Sequence, residues 1–532
     1  MRELIRRLDR ADYLLILAVI GIFAILNFLH ILLPIISAPA GYIYNWADYF
    51  SPYDTHMYYG RILQAKEGLL FFRNLEQHDS GFVIFNILWL ALGFFARFFH
   101  LSSIAAYQIA KNILLFPAIF SLYLFCIYFL EDKRKAKIAF ILGAFGSGFG
   151  GYLFSLIDLA AHPNAIIMTD FMPSGAIFWT LLYSPHYTLS FALFLLIVIF
   201  TLRALDKRNL WYGIYAGFCG LLLFQFYPLL IVTIPFIFAV YSIFLFWKDK
   251  RTALFFLKYI TVFAVLGLPS VLYHILMALK DRWWGIPINF QIMAPSPPVL
   301  ILTYLPFFYF AVLWLLKDRS RFNHIGFAVC WLFGNFIVLY LPIGFRGRLL
   351  RELLPAILPF TAMGFCYFMA TKRAVLQKNK LLFGIIFGFL FLFSNIAVLA
   401  WRFISTPVAG SNFYIKKELP AIARWIKDNS RIDDVVLFDA AIAGEISSRA
   451  GRRIYAGHHL ETFDFSRKVK EIHYFYTTGD AAWQERFLKE NGIKFVVFDR
   501  EWLANGAKEL RTNFVERAYQ NGDLIVYRTK NL

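Results

Sequence analysis

Long apolar runs fill the chain up to about Arg402. They lie at roughly 12–36, 82–98, 104–130, 138–158, 187–203, 211–227, 229–247, 254–278, 298–316, 325–342, 353–370 and 381–402. A helix of about 17–25 apolar residues crosses a bilayer, and the shortest of these runs only just reach that length. Past Arg402 the period changes. Lys416–Asn429 reads as a helix, Val435–Asp439 as a short strand and Arg453–Ala456 as another. Helical stretches at 465–476 and 480–491 follow, then a strand over Lys494–Asp499 and two strands flanking Gly522, near 514–519 and 523–528. This alternation predicts a small α/β layer domain. The expected fold class is therefore a mainly α polytopic membrane protein with a small α/β soluble C-terminal domain, divided at 1–402 and 403–532.

Composition supports the division. The 532 residues are 59% hydrophobic, 19% aromatic and 16% charged, against roughly 25% charged and 45–50% apolar in soluble domains. The formal charge of +19 would suit a nucleic-acid partner, but the placement of the charges excludes one. Lys and Arg gather in short clusters between apolar runs: Arg6/Arg7/Arg10, Lys133/Arg134/Lys135/Lys137, Lys207/Arg208, Lys248/Lys250/Arg251, Lys317/Arg319/Arg321 and Lys372/Arg373/Lys378/Lys380. The positive-inside rule puts all of them in the cytoplasm. The outer face then receives the loops 37–81, 159–186, 279–297 and 343–352 and the C-terminal domain, in a plasma (inner) membrane. The basic start at Met1 precedes a run too long for a signal peptide, so that run is expected to stay as the first span. Cys126, Cys219, Cys330 and Cys366 lie in apolar runs and read as small hydrophobes.

Twelve crossings would return the C-terminus to the cytoplasm, whereas the charges place it outside. The mismatch falls between 38 and 131, where 82–98 or 104–130 must be re-entrant, flat or split. The expected count is 11 or 13 (11–13 transmembrane helices).

The first outer loop carries the densest chemistry: Asn45-Trp-Ala-Asp48-Tyr-Phe-Ser-Pro-Tyr-Asp54-Thr-His56-Met-Tyr58-Tyr59-Gly-Arg61, continuing to Glu67-Gly68. From Asp54 the pattern is an amphipathic helix, with Asp54 as N-cap and Asp54, Tyr58 and Arg61 on one face. Such a helix is expected to lie along the membrane surface. It can simply be a capped interfacial helix, or it can hold a carboxylate that serves as general base toward a hydroxyl.

An Asp-Xaa-Xaa-Xaa-Tyr segment followed by a short helix ending in Glu-Gly, in the first outer loop after the first span, resembles the GT-C class of membrane glycosyltransferases. That class includes the protein O-mannosyltransferases and the aminoarabinose transferases of lipid A. The resemblance implies a catalytic acidic residue in this loop and a polyprenyl-phosphate-linked sugar donor. The carry-over falls on Asp54, with Asp48 as the fallback; Asp48, His56, Tyr58 and Arg61 of the same loop are assigned to substrate binding. Many members carry a pair of acidic residues where this chain has a single Asp. The resemblance also implies a second acidic residue in a later outer loop, for which Asp170 is the candidate, with His186 placed to contact phosphate or sugar. The many aromatics of that loop otherwise read as an interfacial belt.

Gly344-Phe-Arg346-Gly-Arg348-Leu-Leu-Arg351-Glu352 puts three arginines on the outer side, against the trend. Arginine's fork suits phosphate oxygens, and Arg346, Arg348 and Arg351 are assigned to the departing lipid phosphate; headgroup binding or a pair with Glu352 is the bland alternative. Lys280, Asp281, Arg282, Trp283 and Trp284 could add to that pocket. Gly146-Ser-Gly148-Phe-Gly150-Gly151 lies within a span and reads as close helix packing. Gly457-His458-His459-Leu-Glu461-Thr462 reads as a strand-to-helix turn capped by Thr462, with metal binding as the other reading. No cofactor or metal ligand is assigned, because a divalent ion needs convergent ligands that spacing does not show.

The expected activity is inverting transfer of a sugar from a polyprenyl-phosphate donor to a glycan, lipid or protein acceptor at the outer face. The rivals are a transporter or flippase of lipid-linked saccharides, which would want internal repeats and mid-membrane charges, and a surface-polysaccharide ligase or polymerase.

Overall fold

The structure, a computed structural model, describes residues 2–48, 51–78, 83–150, 166–167, 169–280, 292–318, 324–405, 413–510 and 513–530. Of the sequence expectations, Asp281, Arg282, Trp283 and Trp284 lie outside these residues, as do Gly151, the second half of the 138–158 run, Arg319 and Arg321. The chain divides into two compact units. One holds Met1–Phe28, Lys111–Lys280 and Ile288–Trp401, and the other is built mainly of Leu29–Ala110 and Arg402–Leu532.

Among the described residues, seven helices are long and apolar enough to cross a membrane: Arg10–Ile36, Ser103–Leu130, Pro185–Lys207, Leu230–Lys248, Lys250–Lys280, Arg346–Thr371 and Lys380–Ser405. An eighth crossing would be the pair Pro297–Thr303 and Leu305–Lys317, bent by 84°. Shorter apolar helices occupy Ile87–Phe98, Trp211–Phe226 and Ile325–Leu339. The chain is a multi-pass membrane protein. Ile87–Phe98 has 12 residues, about 18 Å of helix and well short of the hydrocarbon thickness. The 82–98 run therefore does not cross by itself.

Within the first unit, Gly213, Gly217 and Gly220 make a ridge of small residues along Trp211–Phe226. A methyl group on each would come within 3.2 Å of Tyr259, 2.7 Å of Leu266 and 2.9 Å of Phe263. The ridge lets the Lys250–Lys280 helix approach closely, where packing rather than water drives association. Gly146–Gly148 behaves differently from the expected helix interior. The preceding helix ends at Phe145, and Gly146 is already extended at φ −69°, ψ 140°. A side chain on Gly148 would collide with the Thr303 carbonyl. Close approach is correct, but it occurs at a break in the helix.

The second unit carries a five-stranded sheet in the order Val515–Asn521, Leu524–Thr529, Ile493–Asp499, Val435–Leu437, Arg453–Ile454. Val435–Leu437 runs parallel to both of its neighbours; the other pairs are antiparallel. Alternate residues of the central strand face opposite layers. Phe495 and Val497 pack with Leu419, Ile422 and Ile426, while Val496 and Phe498 pack with Ile472, Phe475 and Phe487. Helices thus cover both faces, as the alternation predicts. The first helix starts at Leu419 rather than Lys416, because Tyr414–Lys416 is a strand paired antiparallel with Tyr42–Tyr44.

Candidate active site around the first-loop helix

The first-loop helix runs Pro52–Lys66, with proline in its first turn and Ser51 as N-cap. Proline there loses no hydrogen bond and has its φ preset for a helix. Asp54 is therefore the third helical residue and not the cap. Ser51 and Asp54 stand at the two ends of a capping-box spacing, but the Ser51 hydroxyl donates to Asp54 Oδ2 rather than accepting a backbone N–H of the first turn. The helix ends at Glu67, and Gly68 adopts φ +101°, a conformation other residues rarely take.

This helix does not lie free on a membrane surface. Thr55, His56, Tyr58, Tyr59, Gly60 and Ile62–Ala65 are buried. On one side it meets Ile87–Phe98, where a methyl group on Gly93 would overlap Ala65 Cβ at 2.1 Å. On another it meets Gly444–Ala450, where a methyl group on Gly60 would sit 3.6 Å from the Ser447 carbonyl oxygen. Tyr58 stacks on Trp89 at 4.5 Å between ring centroids, a packing role. His56 is buried, with Nε2 3.2 Å from Glu445 and 3.4 Å from Asn45 Nδ2. Burial pushes its pKa down, against the pull of Glu445. Asp48 is held by the Tyr107 hydroxyl, and its own N–H donates to Thr55 Oγ1 at 3.0 Å.

Asp54 and Arg61 face the turn 457–462. His458 Nε2 lies 2.7 Å from Asp54 Oδ1, and an Arg61 guanidinium nitrogen lies 3.2 Å from Glu461 Oε1. Two positions seven apart on the helix, about 10 Å along its axis, are thus met by two positions three apart in the turn. First-loop residues 74–77 hold the turn in place. Asn74 donates to the Glu461 carbonyl at 2.8 Å, the Thr462 hydroxyl to the Glu76 carbonyl at 2.7 Å, and the Phe463 N–H to Gln77 Oε1 at 2.9 Å. Thr462 is consequently not a helix cap; the next helix begins at Phe465. Glu76 and Glu461 are both buried carboxyls. Burial raises both, and Glu461 reaches about 7 although Arg61 opposes the rise. The sequence places His458 and Glu461 in a turn with metal binding as the other reading, and it does not single out Glu445. The cluster His458-His459-Leu-Glu461 was the available signal, but nothing in the spacing says that it meets a loop 400 positions earlier.

The other predicted groups lie in the first unit, where three loops meet. Ile166–Ile167 pairs in parallel with Ile292–Met293, and the Ile292 N–H donates to the Gly344 carbonyl at 2.7 Å. Asp170 is fully buried. Its Oδ2 accepts the Gly148 N–H at 2.7 Å, and burial pushes the carboxyl up to about 6 against its hydrogen bonds. His186 is buried, with Nδ1 2.7 Å from the Ser184 hydroxyl. Arg346, Arg348 and Arg351 lie on a 3₁₀ turn, Arg346–Glu352. Arg351 points inward: it pairs with Glu352 at 2.8 Å, donates to the Ser190 hydroxyl at 2.7 Å, and its guanidinium lies 4.5 Å from the Tyr227 ring centroid. Arg346 and Arg348 are half-buried. Among the described residues, no three His, Cys, Asp or Glu side chains converge as a metal would require.

No protein-family model matches the sequence, and no curated protein matches it. Solved structures do. The archaeal oligosaccharyltransferase AglB from Archaeoglobus fulgidus, in complex with an inhibitory peptide and a dolichol-phosphate, aligns at TM-score 0.51 and 14% identity over 93% of this chain and 70% of its own. ArnT from Cupriavidus metallidurans in the apo state aligns at 0.50 and 13% over 95% and 97%. The arabinofuranosyltransferase AftD from Mycobacteria aligns at 0.52 and 13% over 98% of this chain and 42% of its own. All three are GT-C glycosyltransferases. At such identities the likeness is one of fold, and it is the fold that the first-loop resemblance implies.

Proposed function

We propose that this protein is a GT-C-type glycosyltransferase that moves a sugar from a polyprenyl-phosphate donor to a hydroxyl acceptor at the outer face of the membrane, with inversion. The fold supports the class. Among the neighbours, AglB was solved with a dolichol-phosphate, which supports a lipid-phosphate donor.

The observation that carries the assignment of the base is the exposure of Asp54. Asp54 is half-buried, whereas Asp48 and Asp170 are buried. A base must reach the proton it removes, and Asp54 alone of the three predicted carboxylates combines a helix-fixed position with an open edge. Its carboxylate accepts the proton of the acceptor hydroxyl. The hydroxyl oxygen bonds to the anomeric carbon, and the sugar–phosphate bond breaks with its electrons going to the phosphate. Positive charge is needed at that phosphate as its negative charge develops, and the sequence assigns that role to Arg346 and Arg348. Asp170 and the Arg351–Glu352 pair support the surrounding loops.

The test is transfer from undecaprenyl-phosphate pentoses and hexoses by the purified full-length chain. Asp54→Asn is expected to lower turnover at least about 10²-fold with normal expression. Wild-type turnover in that variant would remove Asp54 as the base, and movement of the intact lipid-linked sugar across vesicles without transfer would favour the flippase reading.

A further inference from the structure

We propose that the C-terminal segment carries a carbohydrate-binding site of its own, a cavity of about 270 Å³ that seats one sugar ring against Trp502 and Asp439. Val435–Leu437 and Ile493–Asp499 are adjacent and parallel. After the first of these strands the chain turns through Gly444–Ala450 to Arg453–Ile454 on one side. After the second it runs through residues 500–505 to the antiparallel strands on the other side. Connections that leave two parallel neighbours in opposite directions open a crevice beyond their carboxyl ends, the position where open α/β sheets bind ligands. The cavity lies at those ends: Asp439 comes just after the first strand, and Trp502 and Asn505 just after the second. The helix Phe465–Thr477 closes it with His473, Tyr476 and Thr477, whose spacing puts them on one face.

The lining selects the ligand. Trp502 is half-buried, and its indole packs on Tyr476 at 5.0 Å and on Phe438 at 5.7 Å between ring centroids, so its plane is set before a ligand arrives. Tyr476 is anchored in turn by its hydroxyl, which donates to the Val497 carbonyl at 2.7 Å. The Ala441 N–H donates to Asp439 Oδ1 at 3.0 Å and orients that half-buried carboxylate. An aromatic ring beside a fixed carboxylate, with the polar groups of His473, Thr477 and Asn505, matches a pyranose. Its C–H face is apolar, and its hydroxyls both donate and accept. Small-molecule sites begin at about 300 Å³, so the cavity has room for one ring and not for a longer chain. No Lys or Arg stands among the described residues that line it, and the Asp439 charge repels anions. Sugar phosphates and nucleotides are therefore the wrong chemistry. An ammonium would suit Trp502 and Asp439, but it only donates, whereas the Asn505 amide offers donors that a sugar oxygen accepts.

The experiment uses the purified full chain carrying fluorotryptophan, with glucose, galactose, mannose and N-acetylglucosamine as probes, read by fluorine NMR and calorimetry. At least one of these sugars is expected to bind saturably, with Kd on the order of 1 mM. It should shift the Trp502 resonance, identified as the one lost in Trp502→Phe. Because Trp502 also packs against its neighbours, two milder variants carry the test. Asp439→Asn keeps an acceptor for the Ala441 N–H, and Asn505→Ala changes an exposed side chain. Each is expected to raise Kd at least about fivefold with an unchanged melting temperature. Asp54→Asn is expected to bind the sugars as the wild type does, so a failure of the transferase reading leaves this site standing. Absence of saturable binding at about tenfold the expected Kd, or binding that both Asp439→Asn and Asn505→Ala leave unchanged, would overturn the proposal. A Trp502 shift with tetramethylammonium and with none of the sugars would overturn it in favour of a cation pocket.

Discussion

Arg61 and Glu461 form a pair at 3.2 Å between a helix of the first loop and a turn of the C-terminal segment, with side chains 12% and 8% exposed. Seven residues back on the same helix, Asp54 meets His458, so the turn is registered on the helix at two points. The carboxyl of Glu461 is pushed up to about 7 by burial, with Arg61 opposing. The folded chain then keeps a proton that the unfolded chain loses near the ordinary value of 4.5. Stability therefore falls as pH rises through that window, by about 3 kcal/mol at most. Glu461→Gln is expected to flatten the decline in melting temperature between pH 5 and pH 8. Equal slopes in variant and wild type would mean that Glu461 stays ionised throughout.

Removing the other partner has a different consequence. Arg61→Ala leaves a buried carboxylate without its cation, a change that costs about 3–5 kcal/mol where a buried pair is broken. The variant is expected to melt several degrees lower above pH 7 and to recover part of the loss at pH 5, where Glu461 is protonated. A melting temperature equally lowered at both pH values would mean that the arginine acts through packing.

Gly93 abuts the Pro52–Lys66 helix so closely that a methyl group would sit 2.1 Å from Ala65 Cβ and 2.9 Å from the Ile62 carbonyl oxygen. Backbone cannot rotate away as a side chain can. Gly93→Ala is expected to destabilise by about 1–3 kcal/mol and, by displacing that helix, to lower turnover. Gly384 has no atom within 4 Å of an added methyl, so Gly384→Ala is the control and should leave both unchanged.

Arg351 and its neighbours separate a structural arginine from those assigned to the phosphate. Arg351→Lys loses the fork on Glu352 and the contact with Tyr227, and lysine does not replace either. It should lower the melting temperature at any donor concentration. Arg346→Ala and Arg348→Ala should raise the donor KM and leave the melting temperature within a degree or two. The reverse pattern would exchange the roles.

Much of the chain was legible from one dimension, and the reason differs by region. Apolar runs must hide their backbone from lipid, so helices at Arg10–Ile36, Ser103–Leu130 and Lys380–Ser405 follow from length and hydropathy alone. In the C-terminal segment, strand alternation and turn residues are equally local, and Ile493–Asp499, Val515–Asn521 and Leu524–Thr529 fall within two residues of their expected bounds. The Gly444–Ala450 helix escaped, because its seven residues show too little of a helical period.

The sequence by itself determined the spans, the α/β segment and the acidic, aromatic first loop, because each depends on residues near one another in the chain. Tertiary structure decided the partners. It moved Asp54 from the cap position to the third residue of its helix, turned Arg351 onto Glu352, and buried the first-loop helix against Gly444–Ala450. It also brought His458 to Asp54 across 404 positions. A hydrogen bond acts over about 3 Å of space and not along the chain, so no spacing rule could have announced that contact.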